Sequence, residues 1–139
     1  YFQTPFTLWL ARQVNLVPVD TDSALVSAMK AGAFGLAHGR VLLLFPEGER
    51  SIDGTVRRFK KGAPILAAHL GVPIVPVALK GLWEMWPRTK PIDWRYVGAW
   101  RRHRVRIAIG PPVTVSASEP YADAAARLRA TVDELWQPL

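Results

Sequence analysis

Cysteine is absent from the 139 residues, which excludes a disulfide framework, a thiolate zinc site and a thiol nucleophile. Histidine is nearly as scarce. His38, His69 and His103 stand too far apart in sequence for a metal-ligand pair, so no metal site is expected from them. No apolar run approaches the roughly 18 to 20 residues needed to span a bilayer, so this stretch is not expected to cross one. Acidic residues are also in deficit, 11 against 18 lysines and arginines, for a net charge of +7 and a pI near 10.4. That excess predicts an anionic partner: nucleic acid, a phospholipid surface or a phosphorylated substrate.

What is present is globular in character, with half the residues apolar and about a fifth charged. Residues 1–139 suffice for one domain with a real core but not for two. The opening at Tyr1, without methionine or a signal-like segment, sets the expectation of a domain incomplete at its N-terminus, of which this is the C-terminal, larger part.

Read in order, Thr4-Pro5 is a helix start for an apolar face through Val14, and Leu16 to Val19 reads as a strand ending at Asp20-Thr21-Asp22. Ser23 is placed to cap a helix that Gly39 ends. Val41 to Phe45 is apolar without alternation, the pattern of a central strand covered on both faces. Pro64 opens a helix through Leu70, closed by Gly71, and Pro73 to Leu79 is a second apolar strand. Strand, helix, strand in this order predicts a right-handed βαβ crossover with parallel strands. Val105, Ile107 and Ile109 alternate with Arg106 and Ala108, as in a half-exposed strand near a sheet edge, and a last helix is expected over Tyr121 to Trp136. The fold class is therefore α/β, a mainly parallel central sheet with flanking helices.

The chemistry gathers where the first central strand ends. Leu43 to Phe45 runs into Pro46-Glu47-Gly48-Glu49-Arg50-Ser51. Gly48 lets the backbone turn tightly against a ligand, Arg50 offers a planar donor fork suited to phosphate, and Ser51 adds a hydroxyl or caps the following turn. Glu47 either holds a neighbouring cation or accepts a substrate hydroxyl proton. Asp53-Gly54 signals a turn, and Val56-Arg57-Arg58-Phe59-Lys60-Lys61-Gly62 places four cations around one aromatic.

The string Phe45 to Ser51 resembles the phenylalanine-proline-glutamate-glycine-threonine-arginine-serine block of the glycerolipid acyltransferases, the family of glycerol-phosphate and lysophosphatidic acid acyltransferases. Leu16 to Asp20 is similar to that family's preceding block, Phe59-Lys60-Lys61-Gly62 to the stretch after its site loop, and Val72 to Val77 to its final proline-bearing strand. The blocks stand in the family's order over roughly Thr4 to Leu79.

The resemblance implies transfer of a fatty acyl group from a thioester to a hydroxyl of a lysophospholipid or glycerol phosphate, in phospholipid biosynthesis. It implies that Gly48, Glu49, Arg50 and Ser51 line the acceptor site with Arg50 on the phosphate, that Glu47 supports them, and that Asp20, Lys60 and Lys61 contribute to binding. It implies no bound cofactor; acyl-CoA or acyl-ACP is the co-substrate, so acyl carrier protein is a candidate partner. It also places the protein in the cytoplasm, peripheral at the inner face of a membrane.

Three departures bear on this. The family's general base is a histidine with an aspartate after four intervening residues, whereas His38, His69 and His103 are followed at that spacing by Leu43, Ile74 and Ala108. The chain as given is accordingly expected to be inactive. Thr21 stands in place of a phosphate-binding arginine. Glu49 stands in place of a threonine and brings a negative charge to a phosphate site, unless it turns away or pairs with an arginine.

Between Lys80 and Arg104 no periodicity survives, and Trp83, Trp86, Trp94 and Trp100 are mixed with Arg88, Lys90, Arg95, Arg101 and Arg102. Such a segment suits packing against the sheet, docking in the headgroup region of a membrane, or stacking on nucleic acid. No recognised nucleic-acid module accompanies it, so no nucleic-acid partner is expected. The alternative to an enzyme is a non-catalytic domain that binds anionic membranes or polyanions.

Overall fold

In the computed structural model, which describes residues 25–96 and 104–139, the chain divides into two units, Tyr1–Leu43 and Leu44–Leu139. The expected first helix, the strand Leu16 to Val19 and the residues Asp20 and Thr21 lie outside the described residues.

In the first unit, α1 (Leu25–Ala37) ends one residue after its apolar positions do, with Arg40 N–H donating to the Gly35 carbonyl at 2.9 Å. Val41 to Leu43, and Leu44-Phe45 in the second unit, lie outside regular secondary structure, where a central strand was expected. An apolar run of that kind becomes a strand when it is covered on both faces. Here Val41 is 96% exposed and Phe45 67% exposed.

The second unit contains α2 (Gly62–Leu70), β1 (Val77–Lys80), a single turn α3 (Leu82–Met85), a 3-10 turn (Trp94–Tyr96), β2 (Arg106–Ile109) and α4 (Tyr121–Trp136). Helix α2 starts two residues before Pro64, which sits in the first turn, where its missing N–H costs nothing. Helix α4 buries Ala124, Ala125 and Leu128 at helical spacing.

The described sheet has two strands. β1 pairs with β2 antiparallel, with Val77 opposite Ile109, Ala78 opposite Ala108 and Lys80 opposite Arg106. Among the described residues no parallel pair occurs; β2, which returns from the tryptophan-rich segment, takes one edge of β1. The pairing continues as an isolated bridge between Ile74 and Val113. The Gly110 N–H, donating to the Pro76 carbonyl at 2.9 Å, keeps the register of β1 and β2, which slips by one residue between there and the bridge.

The alternation in β2 gives two unlike faces. Ala78, 1% exposed, and Ala108 form the face beneath α4, where small side chains let the helix approach closely, while Ile109 on the other face is 70% exposed. Lys80 and Arg106 share the alanine face and reach the end of α4. Lys80 Nζ lies 4.4 Å from the Trp136 ring centre, and Arg106 donates to the Leu139 carbonyl. Cations belong at a helix C-terminus, where the last carbonyls are unpaired. The core is Val56, Phe59, Ala125 and Leu128, with Ile74, Val113, Val132 and Trp136 packed against it. The segment 56–59 is thereby anchored, and everything in the site hangs from that anchor.

Candidate functional site

The loop between Phe45 and Lys60 is closed by its own backbone. Lys60 N–H donates to the Pro46 carbonyl at 2.7 Å, and Gly48 N–H donates to the Phe45 carbonyl at 3.0 Å. A side chain adds the third tie, since Arg57 N–H donates to Glu47 Oε2 at 3.1 Å. Glu47 thus holds the two limbs of the loop together. At Gly48 φ is +76°, and a Cβ built there would lie 2.7 Å from both Cε and Nζ of Lys60. The left-handed backbone calls for glycine, and the flexible end of the Lys60 side chain rests against it.

Beyond Arg50 the chain folds into a hydrogen-bonded turn. Ser51 Oγ donates to Asp53 Oδ1 at 2.9 Å and accepts from Gly54 N–H at 2.8 Å, so its hydroxyl caps the turn. The same Asp53 oxygen accepts from Thr55 N–H at 3.1 Å and from Thr55 Oγ1 at 2.8 Å. These donors, Thr55 N–H foremost, hold the Asp53 carboxyl down at about 2.

The tryptophan-rich segment is strapped across this loop. Trp83 Nε1–H donates to the Ile52 carbonyl at 3.0 Å, with its ring against Gly54. The Arg50 guanidinium lies 4.4 Å from the Trp86 ring centre and donates to the Trp86 carbonyl at 3.3 Å. Glu49 forms ion pairs with Arg57 from the loop and Arg88 from the strap. Partial desolvation raises the Glu49 carboxyl, but the charges and donors of Arg57 and Arg88 outweigh it and hold the group below the ordinary carboxylate range. The negative charge that Glu49 brings is therefore matched by two guanidinium groups.

The structure brings Glu47, Gly48, Glu49, Arg50, Ser51 and Lys60 into one loop. It separates Lys61 from them: the basic run sorts its cations to two sides of Phe59. Arg57 and Lys60 face the loop, whereas Arg58 and Lys61 line a groove with Arg129 of α4. Asp20 lies outside the described residues. His38 and His69 each donate through Nδ1 to a carbonyl one helical turn back, Phe34 at 2.8 Å and Ile65 at 2.9 Å, as residues at helix ends do. Among the described residues no group of three or more acidic or histidine side chains is placed to hold a metal, and no helix is long and apolar enough to cross a membrane. Sequence reasoning missed that Trp83, Trp86 and Arg88 serve this loop, their signal being an excess of tryptophan and arginine without periodicity, and it read Arg57 only as one cation of the basic run.

A family model described as Acyltransferase matches residues 1–80, more than half of the chain and the whole of the loop. The chain belongs to the acyltransferase family. Among its relatives, a chloroplastic 1-acyl-sn-glycerol-3-phosphate acyltransferase, BAT2, from Brassica napus is 31% identical over 126 residues, covering 89% of this chain and 35% of the relative. A 1-acyl-sn-glycerol-3-phosphate acyltransferase from Pseudomonas aeruginosa is 29% identical over 136 residues, covering 95% and 48%. The crystal structure of the 1-acyl-sn-glycerophosphate (LPA) acyltransferase PlsC from Thermotoga maritima superposes with a TM-score of 0.69 at 24% identity, over 96% of this chain and 51% of that one. That likeness establishes a glycerolipid-acyltransferase-like fold. The acyltransferase-family chain spans between about a third and a half of the length of these proteins.

Proposed function

We propose that the protein transfers a fatty acyl group from a thioester of coenzyme A or acyl carrier protein to a hydroxyl of a lysophospholipid or glycerol phosphate, and that the loop from Glu47 to Ser51 holds the acceptor. The observation that carries this reading is the fixed Arg50 guanidinium, set on Trp86 in the same loop where Lys60 rests on the bare backbone of Gly48. A planar fork and a point charge beside an unobstructed backbone suit a phosphate. The names of the relatives support the same acceptor class. Asp20 is assigned to the end of the neighbouring strand, and Lys61 adds only to the positive field.

In this reading a histidine takes the acceptor hydroxyl proton as the oxygen bonds to the thioester carbonyl carbon. The carbon–sulfur bond breaks, and the histidine passes that proton to the departing thiolate, which leaves as the thiol. No histidine of this chain is followed by aspartate at the family spacing, so the base is assigned to the rest of the protein. The exposed apolar run 41–45 and the uncovered isoleucine face of β2 support a larger, mainly parallel sheet around it. Half-exposed Trp83 and Trp86, with exposed Ile52 and Arg88 beside them, support peripheral docking at the inner face of a cytoplasmic membrane.

Acceptor kinetics of the full-length protein test the site. Arg50→Ala raises acceptor KM by about tenfold or more, since a charged phosphate contact is lost. Wild-type KM and turnover in that variant would show that Arg50 does not hold the acceptor. Flotation with anionic liposomes at low salt tests the docking, and no association would remove it.

A further inference from the structure

On the far side of Phe59 from the site loop lies a groove of about 410 Å³, floored by Phe59, Ala125 and Ala126 and lined by Arg58, Lys61 and Arg129. Three cations from two separate elements converge on it: Arg58 and Lys61 flank the buried Phe59, and Arg129 comes from α4. Neither the Arg58 nor the Lys61 side chain has an ion pair or hydrogen bond among the described residues. Arg129 donates to the Val56 carbonyl at 3.3 Å, which holds its side chain toward the groove. Asp133, one helical turn from Arg129 on α4, and Asp123 are not among the lining residues.

Like charges gathered without a carboxylate repel one another, and an entering anion relieves that repulsion. The volume falls in the range of about 300 to 1,000 Å³ typical of small-molecule sites, and the surface is concave, which suits a small solute better than a flat bilayer. We propose that this groove is a second anion site that takes the phosphate monoester or diphosphate of a small organic phosphate. It is separate from the loop served by Arg57 and Lys60, and it stands independently of the acyl-transfer reading.

Titration calorimetry of the full-length protein with inorganic pyrophosphate at low salt tests it. The double variant Arg58→Gln, Lys61→Gln is expected to bind pyrophosphate at least about tenfold more weakly, because two charge-assisted contacts are lost. The groove is read in the Arg50→Ala background, with and without the double variant, so that pyrophosphate held by the site loop does not enter the measurement. Undiminished affinity in the double variant, or no pyrophosphate binding in the Arg50→Ala background with the groove intact, would each overturn the proposal. Vesicles of phosphatidylglycerol distinguish the other source. If the double variant loses vesicle binding while keeping its pyrophosphate affinity, the groove is a lipid contact and the proposal fails. Thermal melting checks folding, and Lys61→Gln alone, expected to weaken binding several-fold, is read if the double variant melts early.

Discussion

Arg50 rests on the Trp86 ring, 4.4 Å from its centre, and donates to the carbonyl of the same residue at 3.3 Å, so a partner 36 residues away supplies both its platform and its acceptor. A guanidinium held in this way has lost rotamer freedom before any ligand arrives, which lowers the ordering cost of binding.

Trp86→Ala is therefore expected to raise acceptor KM several-fold with little change in kcat, and to cost about 0.5–1 kcal/mol of stability, the value of an exposed cation–π contact. Trp86→Phe should recover part of both. Steady-state kinetics and denaturant unfolding of the full-length protein measure the two effects separately.

Glu49 couples the loop to the strap through Arg88, with Arg57 as its second partner. In a double-mutant cycle, Arg88→Gln should change acceptor KM in the wild-type background and have little effect in the Glu49→Gln background. Additive effects would show that Arg88 acts without Glu49.

Gly48→Ala is expected to destabilise the protein by about 1–2 kcal/mol, because the backbone there is left-handed. The added methyl also displaces the Lys60 side chain, whose flexible end is the group it meets. Equilibrium unfolding reads the first effect, and a rise in acceptor KM reads the second.

The turn at Ser51 to Thr55 should loosen in acid. The Asp53 carboxyl is held at about 2, against an ordinary value of 3.8, first by Thr55 N–H and then by the Thr55 and Ser51 hydroxyls. A depressed carboxyl stabilises the folded turn at pH above its unfolded value, and that contribution is lost as pH falls through the folded one. Hydrogen exchange at the Gly54 and Thr55 amides should therefore stay protected down to about pH 4 and lose protection between about pH 4 and 2. Asp53→Asn should remove that pH dependence, and exchange that is unchanged from pH 4 to 2 in the wild type would refute the role of Asp53.

Local patterns sufficed for the elements whose cause is local. Helices α1, α2 and α4 follow from apolar spacing and from glycine or proline at their ends, and the loop at Glu47 to Ser51 follows from an apolar run that stops at Pro46. The family, too, was legible, because its blocks are short, ordered and contiguous. What required the tertiary structure was everything set by partners distant in sequence. The alternation of β2 defined two faces without saying which would be covered, and α4 chose the alanine face because it approaches closest over small side chains. The run Arg57 to Lys61 read as a single basic cluster until the burial of Phe59 turned Arg57 and Lys60 one way and Arg58 and Lys61 the other. Likewise Glu49 beside a phosphate site looked like a repulsive charge, and only the chain's return through Trp83, Trp86 and Arg88 supplied its counter-charge. Sequence determined which groups are present and the local turns that present them. Packing decided which of them meet, because that depends on contacts between segments whose separation along the chain carries no periodic signal.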